Sequence, residues 1–475
     1  MKCILSKRTC LGYTDDRSCS ALSSTSSETA SPWLQPAIAY ISISQDEQRA
    51  FEFFHEQAAQ QLCCYHSSEL WTSVFLQAAQ TDPCIRHAII ALSSFHEIFT
   101  AGSGDGRPDS AFALQHYNAA IRHQILSSTQ PSVNGEDADR YMTASILFVC
   151  IELLQDHYIS AFSLLANAIK LVLAAKGSQK RSSPWPRRTI EVMYNRLQLQ
   201  AFSLLGPGAA AEMSVPGLMP PSYRPIPDTF TSIDEARCHL EDAIARFKFA
   251  QDRKEADVLV KSMELLSGAQ IVMEKWSSSF HNLLENLSNH PSFQDEQAVK
   301  VLRLWQLQAI GTLEAVAASS TLFDTKEVWD KLLSIGDQIV SVAEKIVAND
   351  AASPRNRRRT FTLDHGVVQP IMCTAIMCRD PGLRERAMNV LHLNARREGL
   401  FDSALVTCVV ERAAEIEKAA VPDAMKPSDI PTWARIDSII PYLRFGDRHA
   451  VYFITREAPA FSAQPPEVFE EVVSW

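Results

Sequence analysis

From Asp46 onward, apolar residues recur every three or four positions, the spacing of a single helix face. Phe51, Phe54, Ala58 and Leu62 form one such stripe between Asp46 and Cys64. Asp82-Pro83 pairs a capping residue with a first-turn proline and opens a helix to about Phe99, with Ile85, Ala88, Ile89, Leu92 and Phe95 inward. A further helix is predicted from Asp109 to Ser127, with Leu114, Tyr117, Ala120 and Ile121 on its buried face. The clearest unit is a helical hairpin over Asp139–Gly177. One arm carries Ile146, Leu147, Val149, Cys150, Leu153 and Leu154, and the other Ala161, Leu165, Ala168 and Val172, on either side of a break at Gln155-Asp156-His157. Later helices are predicted at about Ser232–Arg253, Glu255–Leu287, Gln294–Ser320, Thr325–Asn349, Leu363–Met377, Pro381–Leu393 and Ser403–Lys418.

The interruptions are polar or rich in Pro and Gly. Ala101–Arg107 and Gly206–Pro227 read as loops, Lys180–Arg188 as a proline-broken basic connector and Ala351–Arg359 as a basic loop. Near the end, Ile439–Phe445 and His449–Thr455 alternate around Gly446-Asp447, which predicts a β-hairpin, the one sheet expected in the chain. The fold class is therefore all-α: an irregular helical bundle or an α-solenoid-like array of helix hairpins, with one small C-terminal β-hairpin. No fixed repeat period emerges. Residues 18–44, which include SCSALSSTSSETASP, are too polar to bury a core and read as a disordered Ser/Thr-rich linker. Residues 45–456 form the helical body and 457–475 a tail. PPEVFEEVVSW at the end mixes acids with Phe and Trp, as activation segments do. A segment packing back on the body fits it equally well.

Composition narrows the function classes. Hydrophobic residues make up 46% of 475, enough for a full core, and the 16 glycines favour helices over a β-rich fold. The net charge of −10 argues against a body that grips nucleic acid by bulk electrostatics, so any such contact needs a local basic device. The eleven cysteines are scattered, mostly within apolar helical runs, where they act as small hydrophobes. That pattern points to a reducing compartment without disulfides. Neither a signal-peptide core nor an apolar run of about 18 residues is present, so no membrane span is expected and the chain reads as soluble and intracellular.

The densest block is CRDPGLRERAMNVLHLNARREGLFDS, Cys378–Ser403. Asp380 and Pro381 start a helix, and Leu383, Ala387, Val390 and Leu391 share a face. Arg396, Arg397, Glu398 and Gly399 make a charged break, and Asp402 or Ser403 caps the next helix. Nothing in it is catalytic in kind. At the other end, MKCILSKRTCLGYTDD sets Cys3 and Cys10 six residues apart, with Lys7 and Arg8 between them and Gly12-Tyr13 after. The 378–403 block closely resembles one near the C-terminal end of the regulatory region of fungal binuclear zinc-cluster transcription factors, in the helical fungal-specific transcription factor domain. Residues 1–17 look like the last third of that family's zinc cluster, C-x6-C-x-G-Y. HAIIALSSFHE (His87–Glu97), ALQHYNAAIRH (Ala113–His123) and Tyr158–Lys170 resemble pieces of its middle region. The likeness spans roughly 45–456 and is weak over Gly206–Asn349.

The resemblance implies a nuclear regulator of RNA polymerase II genes. In a complete member six thiolates hold two zinc ions and place a short helix in the DNA major groove. Here Cys3 and Cys10 are remnant zinc ligands, too few for one tetrahedral shell, and Lys7 and Arg8 are candidate phosphate contacts. The four other thiolates would lie before Met1, and as written the chain is expected to carry no zinc. The partners implied are DNA where the whole cluster exists, proteins of the transcription machinery, and a second copy in a homodimer. The alternative is a headless helical scaffold or effector-binding regulator that does not itself bind DNA, in nucleus or cytoplasm. Lys180, Arg181, Arg187, Arg188 and Arg357, Arg358, Arg359 are candidate nuclear-import residues, read otherwise as solvated loops.

Four other motifs read blandly. Gly102–Gly106 follows a helix and lacks the Lys-Ser/Thr of a phosphate cradle. His116 and His123 lie two turns apart on one helix, too far for a zinc pair, and read as packing or surface histidines. Cys63-Cys64 reads as core or partly buried thiols. No Gly-x-Ser-x-Gly nucleophile or paired-carboxylate pattern stands out, so no enzyme is expected.

Overall fold

The structure is a computed structural model that describes residues 44–66, 68–101, 110–128, 136–176, 186–212, 225–252, 258–287, 293–320, 326–352, 359–393, 395–424, 426–446, 449–456 and 467–474. Residues 1–43, with Cys3, Lys7, Arg8 and Cys10, lie outside that set. So do Lys180, Arg181, Arg357, Arg358 and the Gly102–Gly106 motif.

Helix α1 (Gln45–Phe53) begins at a reciprocal cap: Ser44 Oγ accepts from Glu47 N–H while Glu47 Oε2 accepts from Ser44 N–H at 2.7 Å. A wide turn at Phe54–Ala58 leads into α2 (Ala59–Cys63), and a second at Leu70–Val74 into α3 (Phe75–Thr81). Then come α4 (Pro83–Ala101), α5 (Ser110–Ser128), α6 (Glu136–Leu154), α7 (Tyr158–Lys176) and α8 (Arg187–Glu212). Asp82 caps α4 as expected, accepting from Cys84 N–H at 2.8 Å. The inward faces read from the sequence are buried in α4 and α6, as are Ala161, Leu165 and Ala168 in α7, but Leu114 on α5 is exposed. The hairpin of α6 and α7 turns on Asp156, whose φ is +63°.

The second half continues with α9 (Ile233–Asp252), α10 (Val258–Leu287), α11 (Phe293–Ser320) and α12 (Lys326–Ala352). It ends with α13 (Val368–Met377), α14 (Pro381–Leu393) and α15 (Ser403–Ala420). Successive helices pack on one another, and α13 ties the set together by touching α11, α12, α14 and α15. One continuous apolar core runs from Phe54 to Val410. The class is all-α, as the sequence predicts.

Three local expectations change. The Gly206–Pro227 loop is helical as far as Glu212, because buried Phe202, Leu204 and Leu205 carry α8 forward against poor local propensity. The C-terminal hairpin is a three-stranded antiparallel sheet: β4 (Ile436–Gly446), β5 (His449–Arg456) and β6 (Glu467–Ser474), with β6 on the free side of β5. Val473 buries against Leu405, Val409 and Tyr452, so the terminal segment is packed back on the body through α15.

The third change is a second sheet, made by β1 (Thr360–Thr362), β2 (Arg396–Glu398) and β3 (Phe401–Asp402). The charged break is thus strand, and its charges are inside: Arg396, Arg397, Glu398 and Asp402 are all buried. Gly399, at φ +56°, makes the tight return from β2 to β3, and a Cβ there would collide with the Gln200 carboxamide.

Each buried charge has a partner. Arg397 reaches Asp402, Asp156 and the Leu153 carbonyl, with its guanidinium over the Tyr158 ring. Arg396 pairs with Asp350 at 2.8 Å and donates to Tyr65 Oη at 3.1 Å. Glu398 accepts from Val367 and Val368 N–H at the start of α13. Seven consecutive residues therefore fasten segments from positions 65, 153–158, 350 and 367 at one point.

Candidate functional site

A cleft of about 720 Å³ opens between α9, α10, α11 and α13. Its walls follow from helix spacing. From α10, Leu265, Gly268, Ala269, Val272 and Met273 share a face at three- and four-residue steps; α9 supplies Ile244, Phe247 and Lys248. Trp305, Gln308, Thr312 and Leu313 come from α11, and Gln369, Cys373 and Met377 from α13. Trp305 is held by its Nε1–H, which donates to the Gly366 carbonyl at 2.9 Å, so the cleft meets its ring and not its polar edge. Gly268 leaves a gap in the wall, since a Cβ built there meets nothing within 4 Å.

Few polar groups break the apolar lining. Lys248 Nζ donates to Ser203 Oγ at 2.7 Å. Burial pulls its ammonium below the ordinary lysine range, against the opposing effect of Cys373. Burial likewise pushes the Cys373 thiol up, against Lys248, so it stays protonated at neutral pH and makes a poor nucleophile. Buried Gln369 Oε1 has no hydrogen-bond partner. A cleft of this size, mostly apolar with a few convergent polar groups, has the character of a small-molecule site.

Beneath Trp305 lies a charged floor. Arg237 forks onto Asp364 at 2.8 and 3.2 Å and also donates to Glu241, whose two carboxylate oxygens share the Arg196 Nε–H. Burial opposes the charges of Arg237, Glu241 and Asp364. The pairing outweighs it, holding Asp364 and Glu241 below the usual carboxylate range and Arg237 above its own. The His365 ring packs on Trp305 at 4.6 Å, and burial lowers its pKa to about 4. The floor therefore fixes the cleft's aromatic wall with a network whose members hold one another in place.

One other cluster has ligand character. Glu47 on α1, His87 on α4 and His116 on α5 place one donor atom each within 4.8 Å of one another. Among the described residues no group of cysteines gathers to supply the thiolates that Cys3 and Cys10 lack.

Comparison with known proteins finds likeness to one family. Residues 49–192 match the model of the fungal specific transcription factor domain. That stretch is similar to this domain. It is also 24% identical over 473 residues to the aspercryptin biosynthesis cluster-specific transcription regulator of Emericella nidulans, covering 80% of this chain and 75% of that protein. No solved structure matches. Both likenesses are to transcription regulators. The matched part of the fungal specific transcription factor domain runs from α1 into α8, so the cleft lies beyond it in the chain.

The residues singled out from the sequence do not converge. Arg187 pairs with Glu191 at 3.2 Å, and Arg188 is exposed beside it at the start of α8. The Arg359 guanidinium lies over the Phe99 ring at 5.0 Å, tied to the body next to β1. Cys63 is buried and Cys64 half-buried, as read. His116 finds its partner on another helix: its Nδ1 lies 2.9 Å from His87 Nδ1, and the His123 ring stacks on His87. Spacing along one helix carries no sign of that. Sequence reading also missed the cleft, whose walls come from four helices. The one signal was small Gly268-Ala269 on an otherwise bulky stripe.

Proposed function

We propose that this transcription regulator is switched by a small, mainly apolar molecule seated in the cleft between α9, α10, α11 and α13. The single observation that carries the reading is the 720 Å³ apolar space with Lys248 and the unpartnered Gln369 Oε1 in its wall. Lys248 suits an acidic or carbonyl oxygen, and Gln369 Oε1 a hydroxyl or amide N–H. The Emericella relative serves a biosynthesis cluster by its name. By that likeness this protein would govern a biosynthesis cluster, and the occupant would be a product or precursor of it.

The finer parts of the reading rest on sequence. The protein acts in the nucleus on RNA polymerase II genes, reaching DNA through a zinc-cluster head of which Cys3 and Cys10, with Lys7 and Arg8, are the legible part. Homodimerisation and contacts with the transcription machinery belong to the same reading. The competing one, a regulator that works by protein contacts alone, is separated from it by gel shift with the natural full-length product and zinc.

The cleft is tested by filling it. Gly268→Trp places an indole in open space, so folding and thermal stability are expected to stay near wild type. Binding of an apolar anionic fluorophore, 1-anilinonaphthalene-8-sulfonate, is expected to fall at least about tenfold, and output from a reporter promoter to lose its response to extracts of the host. Unchanged fluorophore binding in a folded Gly268→Trp chain rules the cleft out.

A further inference from the structure

The Glu47–His87–His116 cluster joins three helices that are separate in sequence. Glu47 spends Oε2 on the Ser44 cap, which leaves Oε1 at 4.0 Å from His116 Nε2. His87 and His116 meet through their Nδ1 atoms at 2.9 Å. The Phe112 ring packs on His116 at 4.5 Å and the His123 ring on His87 at 5.5 Å, so both imidazoles are held from the side. Arg86, the nearest cation on α4, turns its guanidinium away to the Ala79 and Gln80 carbonyls at 2.8 and 3.0 Å.

We propose that Glu47, His87 and His116 bind a divalent transition metal of the zinc class, which clamps α1 onto α4 and α5. Two imidazole nitrogens and one carboxylate oxygen make the N2O set that zinc, cobalt and nickel accept, and three protein donors leave a fourth position for water or a partner's side chain. In a tetrahedral site with bonds of about 2.0–2.1 Å, donors sit roughly 3.3 Å apart. One donor atom from each residue already lies within 4.8 Å of the other two, so side-chain adjustment would bring the set to that spacing. Burial already holds both imidazoles below their ordinary pKa; His116, His123 and Arg86 lower His87 further, and Glu47 pulls both the opposite way. They are therefore neutral and able to ligate at neutral pH.

The clamp has a place in the architecture. Helix α1 is the element into which residues 1–43 run, and its other ties to α4 are modest. Among the described residues they include an exposed Arg49–Glu97 pair at 2.9 Å, the Ser93 hydroxyl on the Ala50 carbonyl at 2.6 Å and the Phe53 ring edge-on to His96 at 6.2 Å. A metal would make the start of the body rigid without touching the cleft, so this inference stands apart from the one above.

The test uses the full chain with Cys3, Cys10 and Cys19 changed to Ser, so that thiols outside the body do not contribute. The chelator-stripped protein is titrated with Co²⁺, read by its visible spectrum, and with Zn²⁺, read by calorimetry. One equivalent is expected, with proton release as pH falls toward 6, and a melting temperature that rises with zinc and returns on chelation. Glu47→Gln decides the case, because Gln serves equally at the third position of a capping box and leaves α1 intact. It is expected to lower affinity by about tenfold or more, as His87→Gln and His116→Gln do, with unchanged circular dichroism. Absence of metal binding, or one equivalent of unchanged affinity in all three variants, overturns the site and leaves a histidine–histidine hydrogen bond.

Discussion

The hairpin of α6 and α7 and the seven residues from Arg396 to Asp402 solve the same problem in opposite ways. The hairpin buries Ile146, Leu147, Val149, Ile151, Phe162 and Leu165 against neighbours close in sequence, and its stability is spread over many non-directional contacts. The β2–β3 segment buries four charged side chains and reaches partners 241 to 331 residues away. Apolar packing tolerates exchange of one hydrophobe for another of similar volume. A buried guanidinium with two carboxylates and a carbonyl around it tolerates almost nothing, because any loss strands a charge in low dielectric. The hairpin supplies bulk stability, and the charged segment fixes which parts of the chain meet.

The sharpest way to break that contrast is Arg397→Leu. It leaves Asp402 and Asp156 facing an apolar side chain and is expected to cost about 3–5 kcal/mol in urea unfolding. Arg397→Leu with Asp402→Asn, which keeps a good helix cap, should recover a substantial part of the loss. A single-variant cost below about 1 kcal/mol would show that the buried pairs are dispensable.

Acid probes the charged floor of the cleft. His365 has a folded pKa of about 4 against an ordinary value of 6.5. Between those values the unfolded chain binds the proton and the folded chain does not. Stability therefore falls as pH drops from 6.5 toward 4, and His365 alone contributes about 3 kcal/mol to that fall. His66 and His96, also lowered by burial, add to it. Asp364, held below the usual carboxylate range, contributes stability that is present above about pH 3.9 and lost only below it. Chemical denaturation of His365→Asn at pH 7 and pH 4.5 should show a smaller difference than wild type. An equal difference removes His365 from the account.

The smallest effect sharpens the other side of the comparison. Ile151→Val removes one methylene from the hairpin and should cost about 0.5–1.5 kcal/mol by thermal melting. A cost as large as that of Arg397→Leu would mean that the hairpin is as unforgiving as the buried charges.

What could be read beforehand follows the same division. The helix over Pro381–Leu393 was legible to the residue, because Asp380 both looks like a cap and is one, accepting from Leu383 N–H at 2.8 Å. The stripes of α4, α6 and α7 were legible because packing between sequence neighbours leaves a period in the sequence. Strands β1, β2 and β3 were not. They are three residues long or less, and their partners are set by tertiary contacts that leave no periodicity. Arg396-Arg397-Glu398 reads as a solvated break because charges are seldom buried, and nothing local announces Asp156 or Asp350 as counter-charges. Strand β6 was half legible: its composition fitted a docked segment, but the register against β5 is a long-range fact. The cleft and the histidine pair share that difficulty, each being assembled from helices far apart in the chain.

The bond between Tyr65 and Arg396 has a consequence in time. The two residues are 331 positions apart. At about 5–20 residues per second, a ribosome takes roughly 20–60 s to deliver the second after the first. For most of that interval Asp156, made 241 residues before Arg397, lacks its counter-ion, and the half-built body must be sheltered by solvent or chaperones. Synthesis of this protein should accordingly be more sensitive to chaperone depletion than its many local helix pairs suggest, and a fragment ending near residue 192 should not hold its shape alone.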